Sequence, residues 1–393
     1  MHTVVHQSNR PIFRWAALFV SLFAFTVYAF CLQTASPLLE TFVGVFGVSF
    51  TEVSAVISIV LLPGVLLGLP AGLLAGRYGV RRVGVISLCV VSLGSFVTAS
   101  ANSFFMLLFG RFILGVGGAF IVTATPALVA QWFGREELGK AMGIFSINMP
   151  VATVIALPVA KALSVSYGWR TPFYMGLILG LTATIMFTAL AKPGPFGAQG
   201  KMSGIRKAIS NFEIWKIGLV WLFFNAAVLA FTAWGTTLFQ KFRGIPSNSI
   251  QASVMASLLM LIAMFFIPIY GYLSDRTGKR KLFAIIGCLL MAGVFLAIAF
   301  ASGVALITSI LVLGIVAATV PPVAFALPAE ILGPVLASAG FGITGICLNA
   351  GAAVAQPIVG FVLDSTQAYV PPLIAMALLS TIGAIIAYSL RTK

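Results

Sequence analysis

The chain has 393 residues, of which 60% are hydrophobic and only 8% charged, with a formal charge of +15. A water-soluble domain carries about 25% charged residues, so this composition excludes a soluble globular enzyme. The positive charge is expected to follow membrane topology, not to bind nucleic acid.

Residues 1–12 form a short polar tail with His2 and His6. No cleavage pattern follows a short apolar core, so the first apolar run is expected to be kept as a membrane span. Apolar runs then fall near 13–36, 53–76, 83–101, 103–130, 141–163 and 171–191. After a connection at 192–213 they resume near 214–239, 251–273, 282–302, 304–329, 336–362 and 368–390. Each is long enough to cross a bilayer as a helix. The connection, KPGPFGAQGKMSG followed by the amphipathic IRKAISNF, divides the runs six and six. The expected organisation is a tail (1–12), a six-helix half (13–191), a central loop (192–213), a second half (214–390) and a tail (391–393). An all-α membrane protein of twelve transmembrane helices follows.

An even number of spans puts both termini on one face. That face takes 18 of the 23 Lys and Arg residues, among them Arg77, Arg81, Arg82, Arg276, Lys279, Arg280 and Lys281. Lys161, Arg170, Lys241 and Arg243 fall on the other, and Arg111 lies inside a span. Cytoplasmic loops are enriched in Lys and Arg, so both termini are expected in the cytoplasm and the chain in the cell (inner) membrane. Cys31, Cys89, Cys288 and Cys347 sit in apolar runs without ligand spacing; they read as small buried hydrophobes. No metal or cofactor is expected.

The halves are copies. At an offset of 199 residues Gly72 meets Gly271, Arg77 meets Arg276, Gly79 meets Gly278 and Arg81 meets Arg280. The same register pairs Leu114-Gly115 with Leu313-Gly314, Gly143-Ile144 with Gly342-Ile343, Pro158 with Pro357 and Pro172 with Pro371. One shared offset across so many Gly, Pro and Arg positions marks two six-helix pseudo-repeats.

The loop between spans eight and nine, GYLSDRTGKRK, has Gly271, Asp275, Arg276, Gly278 and Arg280. Its copy between spans two and three has Gly72, Arg77, Gly79 and Arg81 but Gly76 where the acid is expected. Span four contains Arg111, Phe112, Gly115, Gly117 and Ala119. Over its whole length the chain resembles the major facilitator superfamily, whose signature loops and fourth-span pattern these are. The resemblance implies a small solute, with or without a coupled proton, bound near the bilayer midplane between two rocking halves, and a monomer. It also implies a conformational latch on the cytoplasmic side, made by Gly72, Arg77, Arg81, Gly271, Asp275, Arg276, Gly278 and Arg280, with Glu330 as a further contact. Asp275 is expected to cap backbone groups or pair with a cation across the seam between halves. The basic residues also satisfy the positive-inside rule without any latch.

Arg111 is the central puzzle, since a charge inside a span is costly. Its repeat mate is Ile310, so the span does not need the charge merely to fold. It is expected either to bind substrate or to bridge helices through carbonyls or Gln33. Tyr28, Gln33, Asn148, Asn225, Asn349 and Gln356 are the other candidate substrate contacts, each equally suited to helix–helix hydrogen bonding. No Asp or Glu lies deep within a span. One buried cation without a buried anion points to a small organic anion such as a monocarboxylate. Multidrug efflux is the alternative, and a receptor or scaffold the remote one. Nitrate is disfavoured, because spans two and eight lack the arginines that nitrate carriers of the superfamily place there.

Overall fold

A computed structural model describes residues 11–133, 135–195, 209–332 and 337–390. The outer parts of both expected tails and residues 196–208 of the central loop lie outside the described residues. Twelve spans are long and apolar enough to cross a membrane. Span one is a helix at Pro11–Gln33, a 3-10 turn at Ser36–Leu38 and a short helix at Leu39–Phe46. Spans two to six are Phe50–Tyr78, Val80–Ala99, Phe104–Trp132, Arg135–Phe145 continued by Asn148–Tyr167, and Thr171–Leu190. Spans seven to nine are Phe212–Phe242, Gln251–Thr277 and Arg280–Phe300. Spans ten to twelve are Gly303–Ala317 continued by Val320–Leu332, Ala337–Thr366, and Val370–Tyr388.

The break in span one has a local cause. Pro37 has no N–H and its ring disfavours helix in the residues before it. The helix therefore stops at Gln33, and the chain turns before resuming at Leu39. Carbonyls of the last helical turn are left without their usual donors.

The duplication is visible in packing. A Cβ on Gly115 of span four would strike the backbone carbonyl of Val60 in span two, and one on Gly314 of span ten would strike that of Leu259 in span eight. Both pairs are related by the same 199-residue offset. Small residues let membrane helices approach this closely. Gly118 takes the ring of Tyr28, and Gly94 takes the backbone of Leu114. Gly115→Val and Gly314→Val are both expected to lower the melting temperature of purified protein by several degrees, as an overpacked core costs about 1–3 kcal/mol. Equal melting of parent and variants would show that these contacts are not tight.

Phe13 stacks on Trp132 and lies under Lys192, while Lys216 and Lys281 donate to the Ser389 and Leu390 carbonyls. Both chain ends therefore share one face, called here the terminal face. The opposite face carries the Ser49–Thr51 and Asp364–Gln367 segments.

Candidate functional site

Arg111 lies in the second turn of its span and is fully buried. Its guanidinium donates from Nη1 to the Cys31 carbonyl at 2.7 Å and from Nη2 to the Leu32 carbonyl at 2.7 Å. Nε donates to the Val56 carbonyl of span two at 3.0 Å. The first two acceptors belong to the helix turn that Pro37 interrupts. A helix C-terminus carries partial negative charge, and a planar fork reaches two adjacent carbonyls at once. The charge is thus where a broken helix supplies both lone pairs and favourable potential. Of the two expected roles, bridging is realised through these carbonyls. Gln33 is not a partner: its amide donates to Thr153 of span five at 3.1 Å and accepts from Ser36 at 3.4 Å.

Arg111 is also not the sole cation within the spans. Span five runs on to Tyr167, which places Lys161 inside the helix, 4% exposed, with Glu40 as an opposing charge. An apolar run ending near 163 puts Lys161 at the margin of the span, on the far side; the helix continues past it because Ala160, Ala162 and Leu163 keep it apolar around the lysine stem.

The seam between halves is closed on one face only. Span two starts with a capping box, in which Ser49 accepts from the Glu52 amide and Glu52 accepts from the Ser49 amide. The next two orphan donors, the amides of Phe50 and Thr51, are taken by Asp364 from span eleven at 2.9 and 2.7 Å. The Thr51 hydroxyl donates to the same carboxylate at 2.6 Å. Every free donor of that helix start is accounted for, and the dipole favours the anion. Deeper in, Ser58 donates to the Ala353 carbonyl at 2.7 Å. Gly360 packs on the backbone of Phe50 and Thr51, and Gly64 packs on the Asn349 side chain. Trp234 meets Phe50 edge-on at 6.0 Å. Towards the terminal face the contact ends. Gly68, Gly72 and Gly76 of span two and Gly345 of span eleven have open space beside them. Among the described residues, the hydrogen bonds between the halves lie on the far side of this point.

Asp364 falls two residues beyond the apolar run at 336–362, yet it lies in the last helical turn and is the principal polar tie between halves. Its repeat mate is Val165. The comparison that singled out Arg111 would have singled out this residue too.

The seam also holds an uncompensated group. Asn349, Ala353, Gln356, Gly360 and Asp364 share one stripe of their helix, within about 80° of arc. Gln356 is fully buried, and neither atom of its amide has a hydrogen-bond partner. Asn148, Asn225 and Asn349 each donate to a carbonyl one turn back in their own chain, Phe145, Trp221 and Gly345 respectively. Tyr28 is 6% exposed and lies edge-on to Phe25. The candidate substrate residues are therefore dispersed: Gln33 and Arg111 tie helices, Asn349 and Gln356 sit on the seam, and Asn148 and Asn225 lie on spans five and seven. Trp221 stacks on Phe224 at 5.2 Å and meets Phe325 edge-on at 5.6 Å, joining spans seven and ten.

The expected latch across the halves is not formed. Asp275 pairs with Arg280 at 2.8 Å, and Arg280 with Glu330 at 3.0 Å, all within the second half. Arg81 donates to the Thr188 carbonyl within the first half at 2.6 Å. Arg77 and Arg276 are exposed, and Gly271 and Gly278 shape the second-half loop, Gly278 at φ +64°. Among the described residues, Asp275 has no ion-pair partner across the seam on this face.

The family model for the Major Facilitator Superfamily matches residues 17–264 and 244–393. The chain is 27% identical to the probable nitrate/nitrite antiporter NarK1 of Thermus thermophilus over 70% of this chain and 64% of that protein. It is 26% identical to the human lysosomal dipeptide transporter MFSD1, over 77% of this chain and 70% of that one. It is 30% identical to azole resistance protein 1 of Saccharomyces cerevisiae over 50% and 31%. The chain thus spans less than two thirds of the antiporter and of the azole resistance protein. A bacterial homologue of the human lysosomal transporter Spinster, solved inward-facing and unoccupied, superposes with a TM-score of 0.83 at 14% identity, covering 97% of each chain.

Proposed function

We propose that this chain, which belongs to the major facilitator superfamily, is a membrane transporter that moves a small organic anion, such as a monocarboxylate, by alternating access. The observation that carries the mechanism is the one-sided seam: Asp364 seals the far face while the span two and span eleven glycines stand free at the terminal face. The sequence assigns 18 of the 23 cations to the side of the termini, so the terminal face is cytoplasmic in this reading, the membrane is the cell membrane, and the state is inward-open. A monomer holds the complete pathway, and proton symport is compatible with a solute that carries its own proton.

The substrate class rests on charge. Among the described residues, every acidic side chain lies at the end of a span, so nothing in the pathway repels an anion. Arg111 does not supply the attraction directly, because it is fully buried and held by three carbonyls; the second amide N–H of Asn148, Asn225 and Asn349, beyond the one each gives to its own chain, and the Tyr28 hydroxyl do. Gln356 joins them when the far face opens and its buried amide is freed. Relatives named for nitrate, nitrite and dipeptides carry solutes with anionic groups, and nitrate enters the test for that reason despite the missing arginines. A second reading, export of bulky apolar solutes, is favoured by the Trp221, Phe224 and Phe325 cluster and by the relative named for azole resistance.

Counterflow in proteoliposomes tests both. Vesicles loaded with unlabelled monocarboxylate are expected to accumulate labelled monocarboxylate transiently, at least several-fold above nitrate, dipeptide or azole controls. Accumulation of nitrate or azole alone reassigns the cargo, and equal leak of all solutes without trans-acceleration rules out a carrier.

A further inference from the structure

The two halves treat one arginine differently. Arg280 meets two carboxylates, Asp275 and Glu330. At the mated positions around Arg81 stand Gly76 and Gln131. Among the described residues no carboxylate pairs with Arg81, which donates instead to the Thr188 carbonyl. Arg82 beside it is exposed and has no ion pair among the described residues.

A groove of about 570 Å³ opens at this place, inside the range of about 300–1,000 Å³ usual for ligand clefts. Arg81, Arg82 and Gln131 line its polar side, and Val85, Ile86 and Leu128 its apolar side. Ile86 is 64% exposed and lies in the second turn of span three. The apolar wall therefore continues onto the outer surface at the level where headgroups meet acyl chains.

We infer that this groove binds an anionic phospholipid, its phosphate taking the place of the two carboxylates that the first half lacks. Guanidinium forks suit a phosphate bidentately, and basic pockets between spans are the usual means of holding acidic headgroups. The acyl chain runs over Val85 and Ile86. A free inorganic phosphate would use the arginines and leave that wall empty. Phosphatidylcholine would bring its own cation against two others.

Restoring the missing acids tests the idea. Gly76→Asp with Gln131→Glu recreates the second-half arrangement, and a Cβ at Gly76 meets nothing within 4 Å. Delipidated protein is titrated with phosphatidylglycerol, phosphatidylcholine and inorganic phosphate, with native mass spectrometry counting bound lipid and thermal melting reporting phosphate. The parent is expected to hold phosphatidylglycerol in preference to phosphatidylcholine, and the double variant to hold it about thirty-fold more weakly. Arg82→Gln, at an exposed position, is expected to weaken it about five-fold. The inference fails if the double variant and Arg82→Gln both bind phosphatidylglycerol as the parent does, or if phosphatidylcholine binds equally. Stabilisation by inorganic phosphate matching that by the lipid would make this a simple anion site and overturn the lipid assignment.

Discussion

Arg111→Ala is expected to lower the melting temperature of the detergent-purified protein by roughly 5–15 °C, and to abolish transport as a consequence. Three buried carbonyls, those of Cys31, Leu32 and Val56, would lose their donor. Each buried acceptor left unsatisfied costs about 1–3 kcal/mol, because the carbonyls left behind have neither water nor protein to bond. Arg111→Lys keeps the charge but not the fork. An ammonium on a flexible stem cannot reach two carbonyls of span one and one of span two in the same geometry, so it is expected to melt between parent and alanine variant. Differential scanning fluorimetry and counterflow on the same preparations separate the roles. An alanine variant that melts with the parent while losing transport would sink the bridging account and return Arg111 to the substrate site.

That residue also shows how far the sequence could be read. Twelve spans, their six-and-six division and the shared face of the termini follow from hydropathy and count, because a bilayer fixes the length of any helix that crosses it. The Gly115 and Gly314 contacts follow from the repeat, since a close approach leaves a glycine in both copies. Arg111 was visible as an anomaly, and carbonyls were among its possible partners. What it ties together was not legible, because the acceptors are backbone atoms and carry no side-chain signature. Pro37 was the available clue: a proline 35 or so residues into the chain breaks the helix whose free carbonyls Arg111 then serves. The latch is open among the described residues for a different reason. Signature residues state which groups can pair, whereas the spacing of the halves decides whether they do. With the terminal face apart, Asp275 turns to Arg280 in its own half, which also holds Glu330.

The far seam combines a tie with a liability. Asp364 fastens the start of span two, while two stripe positions away, beyond Gly360, Gln356 is buried without a partner. An unpaired buried amide costs about 1–3 kcal/mol, of the same order as one charge-assisted bond. Closure is therefore stabilised by one group and opposed by the other, and the net preference stays small enough for a cycle to reverse.

Asp364→Asn should tip that balance. Asparagine keeps the shape and one acceptor but loses the charge that the helix start favours. Hydrogen bonds to charged groups contribute about 1.5–3 kcal/mol against about 1 for neutral ones, so the ratio of open to closed far face is expected to rise about tenfold, and further for Asp364→Ala. Ser54 is buried and lies on the same face of span two as Thr51 and Ser58, and its hydroxyl bonds only within its own helix. Ser54→Cys therefore reports opening without removing a contact between halves. Cys89 is the exposed native cysteine and is replaced by Ser in the background. A membrane-impermeant maleimide applied from the far face is expected to label Ser54→Cys about ten times faster with Asp364→Asn than without it. Gln356→Leu should act in the opposite sense, because it removes the unpaired amide and leaves the tie intact; it is expected to slow labelling and counterflow together. Unchanged labelling in both Asp364 variants, with the protein monodisperse, would show that the carboxylate caps span two without holding the far face shut.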